Sequence, residues 1–151
     1  MNRKELMLGD WVQIPKLKYD LGDGDFFNGF TQITKLERFE LWTDALNEIS
    51  YDEIYPIPLT EKIIERLGFS YVYGFWRLAL IEEGHEWAIE MDPFVQDNKS
   101  IYYLTIEHRF DGCSIGGVDS LKVVNVHNLQ NALRLCEVPE EIDLPNDEIF
   151  D

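Results

Sequence analysis

The stretch Tyr71-Val-Tyr-Gly-Phe-Trp-Arg-Leu-Ala-Leu-Ile-Glu-Glu-Gly-His-Glu-Trp-Ala-Ile-Glu-Met91 decides the fold. Aromatic and β-branched residues dominate Tyr71 to Ile81 and Trp87 to Met91, the composition of a pleated, half-buried surface. The link Glu82-Glu-Gly-His85 is short and contains a glycine, which favours a hairpin. No crossover helix fits between the two runs, so they pair antiparallel. Similar runs at Ile101 to Phe110 and Leu121 to Val126 complete a predicted four-stranded antiparallel sheet.

Downstream the period changes, because Leu129, Ala132, Leu133 and Cys136 fall at i, i+3, i+4 and i+7. This predicts a helix from about Val126 to Cys136 with Asn125 as its N-cap. Upstream, Pro58-Leu-Thr-Glu-Lys-Ile-Ile-Glu-Arg-Leu-Gly68 reads as a helix capped by Thr60 and ended at Gly68, with Ile63, Ile64 and Leu67 on one stripe. Nearer the N-terminus, a turn over Leu6 to Asp10 feeds a strand from Trp11 to Ile14. A strand or hairpin spans Phe30 to Leu41, and another strand lies around Ile54 to Ile57. The expected class is α+β. A small N-terminal antiparallel barrel or sheet, with an SH3-like barrel as one candidate, leads through a Pro56 to Leu59 corner into a helix, the four-stranded sheet and the late helix. The chain reads as a single domain over 1–151, subdivided into 1–58, 59–136 and an acidic tail over 137–151.

With 45% hydrophobic and 13% aromatic residues in 151, the chain has enough apolar surface for one good core, which excludes disorder for most of its length. Its charge is lopsided, 13 Lys plus Arg against 29 Asp plus Glu, a net of −16. Residues 1–75 carry 8 basic and 13 acidic side chains (net −5), and residues 76–151 carry 5 and 16 (net −11). Such a field repels phosphate and disfavours direct nucleic-acid binding. Two cysteines, Cys113 and Cys136, are too few for a disulfide framework and match no zinc spacing, as in a reducing compartment. No apolar run of signal-peptide length follows the basic start, and none approaches ~18 residues, so a cytoplasmic location without membrane contact is expected.

Two segments carry a resemblance: Ile54-Tyr-Pro-Ile-Pro-Leu-Thr-Glu-Lys-Ile-Ile-Glu-Arg-Leu-Gly-Phe69 and Val126-His-Asn-Leu-Gln-Asn-Ala-Leu-Arg-Leu135. With the opening Leu-Met-Leu-Gly-Asp-Trp-Val they resemble a family of short uncharacterised bacterial proteins, common in prophage or mobile-element regions, that share a PIPLTE…LGF corner and a late VHxLQN helix. The resemblance spans most of the chain up to the tail. It implies no activity, since no functional residue is assigned in that family. Physically the motifs are structural: Pro56 and Pro58 stiffen an extended entry, Thr60 caps and Gly68 terminates. His127 and Gln130 are expected on or near the polar side of the late helix.

Several clusters contain chemistry-bearing residues. Asp20, Asp23, Asp25 and Asn28 offer oxygen ligands in one loop, but the EF-hand positions counted from Asp20 hold Gly22, Gly24 and Thr31, so a solvated turn is expected rather than a metal site. Phe26 and Phe27 at its tip either fold back as a lid on the core or stay exposed as a partner anchor. His108 and Cys113 supply a base and a thiol, and His127 a second base, but nothing in their spacing marks a thiolate nucleophile. Glu82, Glu83, Glu86 and Glu90 offer candidates for a carboxylate pair for glycoside chemistry, with a solvated hairpin face as the plainer reading. Gly112-Cys-Ser-Ile-Gly-Gly117 lacks the lysine and helix start of a phosphate loop. Tyr71, Tyr73 and Phe75 share one face at period two, but a stacking platform for bases also needs a positive groove.

The expectation is a non-enzymatic accessory or interaction protein without cofactor, whose partner is another protein. A basic partner is electrostatically favoured. The alternatives are an acidic nucleic-acid mimic acting on a host protein, which needs carboxylates in phosphate-like rows, and a small hydrolase using His108 or His127 with a carboxylate or with Cys113.

Overall fold

A computed structural model describes residues 6–14, 29–37, 40–44, 46 and 48–139. The chain divides into two compact units, the boundary falling between Ile57 and Pro58.

In the first unit, β1 (Trp11–Ile14), β2 (Gly29–Leu36), β3 (Glu40–Thr43), β4 (Ile49–Ser50) and β5 (Tyr55–Pro56) form one antiparallel sheet in the order β4-β3-β2-β1-β5. Consecutive strands pair as a meander until β4. A 3₁₀ turn over Tyr51–Glu53 then carries the chain to β5, which pairs with β1 at the opposite edge. Pro56 sits on that edge strand, where a missing N–H is tolerated. Leu6, Val12, Ile14, Ile33, Leu41, Ile49 and Ile54 form the core, with Leu36, Leu46 and Tyr51 packed on it. Asp10 is fully buried beside them, and its carboxylate accepts the Met7 N–H at 2.8 Å, so the buried charge is hydrogen-bonded to the turn that enters β1.

The second unit opens with α1 (Glu61–Arg66). Thr60 Oγ1 accepts from Ile63 N at 3.3 Å, and Gly68 ends the helix at a φ of +88°. Five strands follow, β6 (Ser70–Val72), β7 (Phe75–Glu82), β8 (His85–Gln96), β9 (Lys99–Phe110) and β10 (Cys113–Val123), in the order β10-β9-β8-β7-β6, all antiparallel. The sheet therefore has five strands, not the expected four. Tyr71 to Ile81 is not one strand, because Tyr73 and Gly74 both adopt positive φ (51° and 89°) and fold it back as a hairpin. The pairs Glu83-Gly84, Asp97-Asn98 and Asp111-Gly112 repeat that geometry, in which two central residues at positive φ match the twist of the flanking strands.

The last strand also begins at Cys113 rather than near Leu121. Its glycines do not mark a loop there. A Cβ on Gly117 would collide with the carbonyl oxygen of Ile106, so glycine is what lets β10 lie against β9. Pro93 interrupts no shared ladder, since it lies beyond the last β7 pair, Trp76↔Met91, where β8 is flanked on one side only.

One face of this sheet buries Trp87, Ile89, Met91, Tyr102, Leu104, Ile106 and Val123. Helix α2 (Val126–Leu135) accompanies it, capped by Asn125 Oδ1, which accepts from Asn128 N at 2.9 Å. The Trp87 indole N–H donates to the Cys136 carbonyl at 2.9 Å and ties the sheet to the end of the helix. The two motif segments meet in this unit: Pro58 bridges Asn125, and Leu59 N donates to Val124 O at 3.2 Å. His127 and Gln130 are buried, at 1% and 4% exposure, contrary to the polar side expected for them. The reason is that α2 is embedded over more than one stripe, with Val126, Leu129, Ala132 and Leu133 buried as well. Among the described residues, no helix is long and apolar enough to cross a membrane.

Candidate functional site

Alternation along β7, β8 and β9 places Arg77, Ala79 and Ile81, then Glu86, Ala88, Glu90 and Asp92, then Tyr103, Thr105, Glu107 and Arg109 on the face opposite the core. Register sets these residues in rows across the strands. Ala79 pairs with Ala88, Ala88 with Glu107, and Glu107 with Gly117. Three of the four members of that row have no side chain beyond Cβ, so the face has a depressed waist. Two adjoining depressions, about 280 and 590 Å³, both include Ala79, Ala88 and Glu107 in their walls. No element of the described chain covers the waist, and both alanines are exposed.

Charged rows flank it. On one side Arg77 Nε meets Glu90 Oε2 at 3.0 Å, and on the other Arg109, paired across from Glu86, reaches into the waist row and holds Glu107 Oε1 through two nitrogens at 2.8 and 2.9 Å. Both guanidinium groups are thus neutralised by carboxylates of the same face. Among the described residues, no cation lies at ion-pair distance from Glu86 or Asp92. Beyond Asp92 the face turns apolar, with Phe94 and Tyr103 edge to face at 6.3 Å and exposed at 54% and 36%.

The residues weighed for catalysis are spread over different elements. His108 lies in β9 on the buried face, 5% exposed and stacked on Trp87 at 4.5 Å. Its Nε2 is 2.9 Å from His85 Nδ1, so one imidazole donates and the other accepts. The partner within hydrogen-bond reach is therefore another imidazole, not the Cys113 thiol. Cys113 is exposed and opposes Phe110, whereas His108 opposes Gly116, a separation of two strand residues, or ~7 Å. His127 belongs to α2. Cys136 is buried, and burial pushes its thiol up. Burial, with Glu61 nearby, likewise raises the Tyr102 phenol against a hydrogen bond from Ser100.

Glu86 and Glu90 share the outer face with Ala88 between them. Four strand residues span ~13 Å, beyond the ~9.5 Å upper separation of a glycosidase pair. Glu82 ends β7 and Glu83 lies in the following turn. Gly112 to Gly117 is turn and strand, without the helix a phosphate loop requires. The period-two grouping of Tyr71, Tyr73 and Phe75 is broken by the hairpin, and Tyr71 packs on Trp76 at 5.1 Å instead. Asp20, Asp23, Asp25, Phe26, Phe27 and Asn28, like the tail from 140, lie outside the described residues. No group of three or more metal-ligating side chains occurs among the described residues.

Two features escaped the sequence reading. The pairing of His85 with His108 was encoded in the period-two positions of His85 and Trp87 against His108 and Phe110, once the hairpin register is known. The alanine waist carried no signal, since Ala79 and Ala88 are unremarkable until they stand opposite each other. No family model matches the sequence, and no curated protein or solved structure matches it significantly, so function is read from these residues alone.

Proposed function

We propose that this is a non-enzymatic interaction protein that binds another polypeptide through the outer face of the second unit's sheet. The observation that carries the reading is the exposed waist of Ala79 and Ala88, with Glu107 and Gly117 completing its row, between the Arg77–Glu90 and Glu86–Arg109 rows. A pleated surface with a shallow, partly apolar floor and polar rims accepts an extended chain better than a compact substrate, which needs enclosure. The acidic charge favours a basic partner, because complementary potentials speed encounter and suppress like-charged competitors. The mimic alternative is less favoured, since Glu90 and Glu107 are each neutralised by an arginine rather than standing in open rows.

The first unit we read as SH3-like, on the strength of its strand order and the 3₁₀ turn before β5. The prophage-type family resemblance rests on the two motif segments that meet at Pro58 and Asn125. The cytoplasmic assignment rests on two free thiols.

The test is capture from the native host with the wild-type chain and with Ala88→Tyr, which fills the waist with a residue that strands tolerate. A polypeptide retained by the wild type and lost by the variant is expected. Equal retention by both, or retention of nucleic acid alone, refutes the reading.

A further inference from the structure

The outer row of β8 is a linear pattern with its own repeat. Glu86, Ala88, Glu90, Asp92 and Phe94 recur at every second residue, ~7 Å apart, so Glu86 and Asp92 stand ~20 Å from each other. An extended polypeptide laid along the row has the same repeat, and its alternate side chains fall on successive members. Glu90 is held by Arg77, and Glu107 in the next strand by Arg109. Glu86 and Asp92, one on each side of the waist, are the exposed carboxylates of the row that form no ion pair among the described residues; Glu86 stands across from Arg109, whose guanidinium is engaged by Glu107. Phe94 and Tyr103 then provide an apolar end to the same track.

Resting on the binding face proposed above, we infer that its occupant is an extended basic segment of a partner protein. It lies along β8 with cationic side chains six residues apart on Glu86 and Asp92, small residues over Ala88, and an apolar side chain on Phe94 and Tyr103. The face is favoured over the two edges of the sheet, because β6 is only three residues long and β10 is irregular between Ser114 and Gly116 and again between Val118 and Leu121. Bulges of that kind interrupt strand addition. An anionic lipid surface or a phosphate polymer would meet the same carboxylates with the wrong sign.

The probe is a nine-residue peptide of threonine with lysine at its first and seventh positions, alanine at the third and leucine at the ninth. Its control has the same composition, with the second lysine moved to the sixth position. In an extended chain the first and seventh side chains share a face, whereas the first and sixth oppose each other. The in-register peptide should bind the protein at low salt roughly two- to three-fold more tightly than the control, as the one further exposed ion pair it can make would give. Glu86→Lys with Asp92→Lys should erase that difference while leaving the thermal melt in place, both positions being exposed. Equal binding of the two peptides, or a difference that survives the double variant, overturns the inference and leaves only attraction to a chain of net −16. A host polypeptide still retained by the double variant but lost by Ala88→Tyr would sink the basic occupant while the binding face itself stands.

Discussion

Replacing Gly117 by alanine should be among the most damaging single-methyl additions in the molecule, whereas the same change one residue earlier should be harmless. At Gly117 the backbone has a φ of +142°, and a Cβ would collide with the Ile106 carbonyl oxygen, with the Ile106 carbon at 3.0 Å and the Glu107 Cα at 3.4 Å. All three are backbone atoms of the paired strand, so no side chain can swing away. Relief requires β10 to move off β9 or Gly117 to change φ. An L residue held in that backbone region costs about 1–3 kcal/mol by itself, and displacing a paired strand adds about one net hydrogen bond, ~1 kcal/mol. A loss of about 3 kcal/mol lowers Tm by roughly 6–12 °C in a chain of this size. Gly116 has open space where its Cβ would be and no positive φ. Gly116→Ala should therefore leave stability within about 1 kcal/mol of wild type, with a slight gain from a stiffer unfolded chain. Thermal and urea melts of the two variants side by side are the assay. Gly117→Ala melting at or above Gly116→Ala would refute the close-approach account of β10.

Trp87→Phe keeps a ring against His108 but removes the donor to Cys136 O, and should cost about 1 kcal/mol; an unchanged melt would show that this bond does not help hold α2. Asn125→Ala should lower stability by ~1 kcal/mol through loss of the α2 cap, with Asn125→Ser nearly silent, read from urea midpoints. Ellman's reagent should find one fast thiol, Cys113, abolished by Cys113→Ser, while buried Cys136 reacts only as the protein unfolds. The raised Cys136 thiol and Tyr102 phenol hold their protons more tightly in the native state than in the unfolded chain. Their contribution is complete below the ordinary values of 9.0 and 10.0 and is lost as pH rises past them, so Tm should fall rather than rise as pH climbs above those values.

Helix ends are legible in the sequence because they are local. Thr60, Gly68 and Asn125 act on backbone groups within three or four residues of themselves, so a cap or a C-terminal glycine is visible in a short window of sequence. The hairpin at Glu83-Gly84 is legible for the same reason. The turn at Tyr73-Gly74 was hidden because an aromatic residue at positive φ is a poor turn signal amid strand formers. The start of β10 was hidden because Gly116 and Gly117 look like a loop until Ile106 is known to lie against them. His127 and Gln130 followed helical period correctly and were still misplaced, since how much of a helix is covered depends on what packs around it.

The chain by itself determined its helix ends, most of its strand-forming segments and its excess of carboxylates, because propensity, capping and net charge are sums over neighbours or over composition. The tertiary structure decided which residues stand opposite one another. Register joins Ala79 to Ala88, brings His85 to His108 across 23 residues of chain, and leaves Glu86 and Asp92 on an open face. A one-residue slip would turn every one of those side chains to the other face, and that choice is made only when the hairpins close together over a shared core.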